Sequence, residues 1–278
     1  MPFLVLILAV WMKKCLILRL WLQRDGLWLR ELTKLELSTR MVKQPWLILI
    51  LLVLLPVILL ALLLSMLEPM AYGLLVFPVH LLVVIYSLGR GDLLADLRQF
   101  RNAFYCGDFQ AFENVAKYDF KVASTSSEQL LKLVQGYLLW QAYQSFFAVI
   151  FWFFLFGPVT VLAYRLLALI SEHSQNSLLT ERTKQLRHVF DWLPVRMLSV
   201  SFALVGNFVA VSRVMQHELL NLDICAAQLI EKVGLVAIEI QSPLTEVDSI
   251  NSLDRLWALL LRAAVLWYAW FAIWTVLI

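Results

Sequence analysis

The sequence predicts an all-α, polytopic membrane protein, with about four to five transmembrane helices and short amphipathic helices in its loops. Of its 278 residues, 62% are hydrophobic and 15% are charged, whereas a soluble domain is about half apolar and a quarter charged. The apolar residues are clustered, because residues 46–67 carry no charge. As a helix they are about 33 Å long, enough to cross a hydrocarbon core of about 30 Å. Since the bilayer offers backbone groups no water, an apolar run without alternation favours a helix.

The N-terminal segment is the first predicted element. Its apolar stretch precedes Lys13 and Lys14, which reverses the order of charged and apolar residues in a secretory signal. We therefore expect a retained helix over residues 1–22. It lies in the membrane interface or packs on the other spans, or it forms a short span of its own with snorkelling lysines.

Five apolar segments follow as predicted spans of one membrane domain that covers residues 1–278. Glu68 and Pro69 form a tight turn, which makes the first two spans a hairpin. Gly157 and Pro158 interrupt the third, and because proline removes a backbone donor, we expect a kink or a broken helix there. The fourth is short and either crosses the bilayer or is re-entrant. The spans are predicted at residues 46–67, 70–88, 145–170, 196–212 and 257–278.

Polar segments join these spans. Residues 89–144 and 213–256 are predicted as polar loops that contain helices, because both hold stretches with helical periodicity. Residues 171–189 are expected to be a loop, since they are polar and include SEHSQNS. Positive charge is densest before the first span, so segment 13–43 is expected in the cytoplasm, as is 89–144. Segment 13–43 holds eight Lys and Arg residues, at positions 13, 14, 19, 24, 30, 34, 40 and 43.

Charge and motif content exclude several classes of function. The net charge is +3, which without a basic stripe is too weak to predict nucleic acid binding. The three cysteines lie far apart and the four histidines form no HExxH motif, so neither a disulfide framework nor a metal site is predicted, and no cofactor. No GxSxG motif, phosphate-binding loop or pair of intramembrane carboxylates is present, so no catalytic residue is predicted.

Polar residues at membrane depth are the candidates for a binding site, because burying them is costly unless they serve a function. Arg165 follows the break at Gly157 by eight residues. Asp191, Trp192 and Arg196 form a compact acid–aromatic–base group at a membrane boundary. A broken helix exposes backbone groups, and arginines beside it can hold phosphate or carboxylate. Asp191 can neutralise one arginine, so we expect Arg165 and Arg196 to converge on one polar cavity, with the spare charge facing an anion, lipid headgroup or water.

Each candidate also has a purely structural interpretation. An ion pair between Asp191 and Arg196 that positions two helices needs no ligand, and boundary arginines can reach outward to phospholipid. His80, near the middle of the second span, is either hydrogen-bonded to a neighbouring helix or part of a proton relay. The sequence leaves these alternatives open.

Two stretches carry a family resemblance: FWFFLFGPVTVLAYRLL at 151–167 and DWLPVRMLSVSFALVGN at 191–207. Their FW pair, glycine, Tyr164–Arg165 pair and Trp-x-Pro-x-Arg group, in this order and spacing, resemble the AmpE family, inner-membrane regulatory proteins linked to β-lactamase induction. That family is similar to the adenosylcobinamide-phosphate synthases of cobalamin biosynthesis. The resemblance covers residues 130–212 well and the N-terminal hairpin loosely.

The departures from the synthases concern their acidic residues. A ligase that activates a carboxylate with a nucleotide needs acids to hold metal and phosphates. The resemblance therefore implies that the fold is retained and the synthase chemistry lost. The residues that stand where the synthases carry mostly acids or polar ligands are Gln141, Gln144, Ser171, Arg187 and His188.

The resemblance implies a multi-pass protein of the bacterial inner membrane that takes part in cell-wall-derived signalling and β-lactamase induction. It would bind an anionic or amphipathic, cell-wall-derived ligand beside the broken helix. Two alternatives stay open: a membrane-bound amide-forming, synthase-like enzyme that uses other acids, and a transporter or flippase, which has too few spans per chain unless it forms a homo-oligomer. The implied ligand-binding residues are Gly157, Tyr164, Arg165, Asp191, Trp192, Arg196 and His80.

Overall fold

The computed structural model describes residues 25–37, 44–69, 75–88, 127–218, 221, 224–238 and 246–277. Within these residues the regular structure is helical, without a strand, which confirms the all-α membrane architecture. The predicted helix at 1–22 and most of the 89–144 loop lie outside the described residues. Chain contacts divide the molecule into two compact units, which are described separately. Unit 1 comprises Met1–Arg90 and Ala148–Asp191, and unit 2 comprises Gly91–Phe147 and Trp192–Ile278. The single membrane domain expected from the sequence stays a prediction.

The described helices range in length from 9 residues for α5 to 32 residues for α10. A π-helical stretch, Ile50–Leu54, lies inside α2, and another, Tyr143–Phe147, separates α4 from α5. The unit boundary falls within α7. In chain order the helices are α1 (Gly26–Leu37), α2 (Pro45–Leu67), α3 (Val76–Ser87), α4 (Ser127–Ala142), α5 (Ala148–Phe156), α6 (Pro158–His173), α7 (Ser177–Val205), α8 (Phe208–Glu218), α9 (Ala226–Ala237) and α10 (Glu246–Leu277).

Four of the described helical segments are long and apolar enough to cross a membrane: Pro45–Leu67, Leu131–Phe156, Ser177–Val205 and Ser252–Leu277. The first agrees with the predicted span 46–67 almost residue for residue. The second ends where the predicted span 145–170 breaks. α3, at 12 residues, is shorter than a span within the described residues.

Unit 1 is built around α6, which packs against α2, α3 and α5. α1 adds an amphipathic helix whose buried Leu32 faces this core, while Arg30, Glu31 and Lys34 are exposed. An apolar stripe with charged residues opposite is the pattern of a helix on the surface of a core. The buried apolar cluster that joins α1, α2, α6 and α7 comprises Leu32, Ile48, Leu49, Leu52, Leu167, Ile170 and Leu179.

Unit 2 is built around α9, which packs against α4, α8 and α10. Small residues allow close helix contacts. A Cβ atom at Gly234 would lie 2.6 Å from Leu139 Cδ1, and one at Gly206 would lie 2.9 Å from the carbonyl oxygen of Ala237. Unit 2 is therefore closely packed at its glycines.

The loop predicted at residues 171–189 is wrong for most of its length, because α7 begins at Ser177. Most of its polar side chains occupy the exposed face of a helix. Leu179, Thr183 and Arg187, spaced by four, are buried. The polar composition therefore hid a helical periodicity, and only Ser174–Asn176 separates α6 from α7.

The broken helix predicted in the third span is confirmed, since α5 ends at Phe156 and α6 begins at Pro158. The segment 196–212 has different bounds from those expected. Its first half ends α7 at Val205, and its second half begins α8 at Phe208. Whether this segment crosses the membrane or is re-entrant stays a prediction.

Candidate functional site

The helix break at Gly157 is fixed by local backbone chemistry. Gly157 has φ of 77°, a conformation that residues with a Cβ rarely adopt. Its N–H donates to the Phe153 carbonyl at 3.0 Å, which closes α5. Pro158 then begins α6, where its missing N–H has no helical partner to lose. The Gly-Pro pair thus ends one helix and begins the next within a single residue.

About two helical turns after the break, Tyr164 points into a buried polar network in unit 1. Its hydroxyl donates to Asp191 Oδ1 at 2.8 Å. Arg187 lies one helical turn before Asp191, with its Nε 3.8 Å from Asp191 Oδ2, and Arg187 Nη1 donates to Ser171 Oγ at 2.8 Å. The Arg187 guanidinium also lies 5.7 Å from the centre of the Tyr164 ring. These four side chains join α6 to α7 around one carboxylate and one guanidinium.

Arg165 has a different acidic partner. Its Nη2 donates to Asp25 Oδ2 at 3.2 Å, and both side chains are buried. Asp25 stands directly before α1, far from Arg165 in sequence. Within the described residues, Arg165 Nε is buried and donates to no acceptor. Arg165 is therefore neutralised by one carboxylate but not saturated with hydrogen bonds.

The sequence-based count of acids near Arg165 is therefore wrong. We expected Asp191 to be the acid available to Arg165 and Arg196, which left one positive charge spare. The structure supplies Asp25 as a second acid, and Asp191 contacts Tyr164 and Arg187. Among its described residues, unit 1 thus holds two buried arginines and two buried aspartates, which balance in charge.

Trp192 and Arg196 belong to unit 2. The Arg196 guanidinium lies 4.3 Å from the centre of the Trp192 ring. It donates to two backbone carbonyls, of Trp192 at 2.9 Å and of Asn221 at 2.7 Å. These contacts tie α7 to the segment after α8. The convergence of Arg165 and Arg196 on one cavity stays a prediction.

His80 has an aromatic environment. Its ring meets that of Phe153 on α5 edge to face, with 6.0 Å between the ring centres. No hydrogen bond from His80 to another described residue is present. His80 thus packs beside α5, the helix that ends at the Gly157 break.

Three residues in the contacts of Arg165 and Arg187 were not expected as site residues: Asp25, Ser171 and Arg187 itself. Arg187 and Asp191 are four residues apart, which is the spacing of an ion pair on one helix, but a predicted loop concealed that signal. Asp25 lay in a segment with more basic than acidic residues, and no spacing rule connects it to Arg165. No group of three His, Cys, Asp or Glu side chains suited to a metal occurs in the described part of the chain.

Comparisons with known proteins agree with the family resemblance. A family model described as regulatory signalling modulator protein AmpE matches residues 8–228. Protein AmpE of Shigella flexneri is 30% identical over 93 residues, which are 31% of this chain and 33% of that protein. The match therefore spans a third of the length of this curated relative. No solved structure matches.

Proposed function

The chain belongs to the AmpE family of regulatory signalling modulators, and we propose that it acts in the bacterial inner membrane as a signalling protein of β-lactamase induction. Its general regulatory role follows from the family. The finer proposal is that it senses a cell-wall-derived anionic or amphipathic ligand in unit 1, beside the break at Gly157.

One observation supports this site above others: Arg165 is buried, lies two turns after the helix break, and keeps an Nε donor without an acceptor among the described residues. A buried donor without an acceptor is costly. A phosphate or carboxylate could bind a guanidinium through two parallel hydrogen bonds, which is the geometry that arginine favours. Arg165 can therefore gain hydrogen bonds from an incoming anion.

Tyr164 and Arg187 support the same location. They hold Asp191 beside α6, so the helix that carries Arg165 is fixed against α7 by hydrogen bonds. A binding residue is most effective when the element that carries it is rigid. We therefore assign Arg165 to ligand contact, and Tyr164, Asp191 and Arg187 to the support of α6.

The test is β-lactamase induction in a bacterial strain that lacks its own copy of the protein. Arg165→Gln should remain in the membrane and lose the inducer-dependent rise in β-lactamase activity. Arg182→Gln is the matched control, because Arg182 is exposed on α7 and contacts Gln185. Normal induction by Arg165→Gln would overturn the proposed site.

A further inference from the structure

Asp25 satisfies only part of the hydrogen-bonding capacity of the Arg165 guanidinium. A guanidinium carries five N–H donors in a planar fork. In the described structure only one of the Arg165 donors reaches Asp25, at 3.2 Å. Charge-assisted bonds of this kind are commonly about 2.7–2.9 Å long and often bidentate. A small anion could thus bind Arg165 better than Asp25 does.

Asp25 is carried by α1. Its carbonyl accepts the Leu29 N–H at 2.8 Å, so its backbone belongs to the first turn of that helix. Its side chain is fully buried against Arg165. The position of α1 therefore depends on whether Arg165 is paired with Asp25.

Other contacts of α1 lie farther along the helix, where the buried Leu32 belongs to the apolar cluster of unit 1. Trp28 Nε1 donates to the Leu52 carbonyl at 3.4 Å, which is long for such a bond. At the other end of α1, the Glu36 carboxylate accepts from Ser174 Oγ at 2.5 Å and from the Gln175 N–H at 3.3 Å. Because Asp25 meets Arg165 and Glu36 meets Ser174, α1 runs beside α6 in the same direction. A helix of 12 residues is marginal by itself, so it stays folded through this docking.

We propose that Asp25 is a resident anion that occupies Arg165 in the ligand-free protein, and that a phosphate-bearing ligand displaces it and releases the N-terminal end of α1. The proposal rests on the proposed function, since it uses the same arginine. Beyond that function, it identifies Asp25 as the group bound to Arg165 before the ligand arrives, and α1 as the element that moves afterwards. Glu36 keeps the C-terminal end of α1 in place, so displacement of Asp25 lets the helix pivot.

Phosphate at this site can come from free solute or from a phospholipid headgroup, and the experiment separates the two. Amide hydrogen exchange of α1 is measured by mass spectrometry on the full chain in micelles of a maltoside detergent, which carries no phosphate. One arm adds inorganic phosphate, and the other adds phosphatidylglycerol to the micelles. In the wild type, exchange within α1 should rise about tenfold in one arm, and the responding arm identifies the source. No rise in either arm would overturn the proposal.

Variants test the role of Asp25 directly. Asp25→Asn should exchange rapidly in α1 without any added anion and should bind phosphate more tightly than the wild type. Arg165→Gln should also exchange rapidly but respond to neither arm. Glu31→Gln is the control, because Glu31 lies on the exposed face of α1 and pairs with Lys34. Asp25→Asn exchange equal to that of Glu31→Gln would contradict the proposal.

A charge-swapped variant distinguishes loss of the ion pair from general misfolding of the protein. In Asp25→Arg/Arg165→Asp the ion pair is restored in reverse, so α1 should exchange slowly again and show no phosphate response. Rapid exchange in α1 while α6 and α7 remain protected would show that the ion pair is not the tether. The outcomes also separate the two proposals. Loss of induction in Arg165→Gln with unchanged α1 exchange in Asp25→Asn rejects this inference and leaves the proposed function standing.

Discussion

The two units are stabilised by different interactions. The described residues of unit 1 bury two arginines and two aspartates, arranged as the Arg165–Asp25 pair and the Arg187–Asp191 pair. In unit 2 the buried Arg196 is held by two backbone carbonyls rather than by an acid, and the buried side-chain contacts described between helices are neutral. Gln135 Nε2 donates to Ser252 Oγ at 2.7 Å, and Trp267 Nε1 donates to Ser201 Oγ at 2.7 Å.

This difference indicates a division of roles. A buried ion pair adds little net stability over well-packed apolar residues, but removal of one partner is strongly destabilising. Close glycine contacts tolerate little change in volume, yet contain no charge that a ligand could displace. Unit 1 is therefore the unit suited to respond to a ligand, and unit 2 the unit suited to remain constant.

The largest effect is expected from breaking the ionic network of unit 1. Asp191→Asn removes the charge that faces Arg187 and should lower the free energy of unfolding by about 3–5 kcal/mol. Thermal unfolding in detergent measures this. Ser171→Ala removes only a neutral acceptor of Arg187 and serves as the comparison. A loss no larger than that of Ser171→Ala would show that the ion pair is not essential.

Next in size is a steric change in unit 2. Gly206→Ala places a Cβ 2.9 Å from two carbonyl oxygens, of Ala237 and Phe202. Backbone cannot move aside easily, so a loss of about 1–3 kcal/mol is expected. Gly136→Ala is the control, because its new Cβ would meet the flexible Glu231 side chain at 3.0 Å. Equal losses in thermal stability for both variants would contradict this account.

A smaller loss is expected from a neutral hydrogen bond in unit 2. Trp267→Phe keeps most of the aromatic volume but removes the donor to Ser201, and should cost about 1 kcal/mol. The matched variant Trp270→Phe lies at an exposed position of the same helix. If the two variants have the same unfolding midpoint, the Trp267 hydrogen bond makes no measurable contribution to stability.

The smallest effect is a pH dependence at the surface of unit 2. The Lys232 ammonium, which donates to Glu218 Oε1 at 2.7 Å, holds the pKa of Glu218 below its ordinary value of 4.5. Because the folded-state pKa is the lower one, the stabilisation is present above about pH 4.5 and is lost as the pH falls through the folded-state pKa. The difference in unfolding midpoint between wild type and Glu218→Gln should thus be small at pH 7 and vanish at low pH. A difference that grows with acidification would reverse the sign of this interaction.

Local backbone features of the site could be predicted, whereas its partners could not. The Gly157–Pro158 break was predictable because proline and glycine act through their own dihedral angles and missing donors. The partner of Arg165 was not, since Asp25 is brought there only when α1 packs on unit 1. Arg187 lay between these cases, because its spacing to Asp191 is visible in the sequence once residues 177–191 are known to be helical.

Taken by itself, the sequence determined that this is an all-α membrane protein, where its first span lies and where its third breaks, because apolar run length and proline chemistry are local properties. It also carried enough of the AmpE pattern for the family to be assigned. Only the tertiary structure decided which acid neutralises which arginine. Long-range pairs depend on how helices pack, and burial assigns a cost to every charge that packing leaves without a partner.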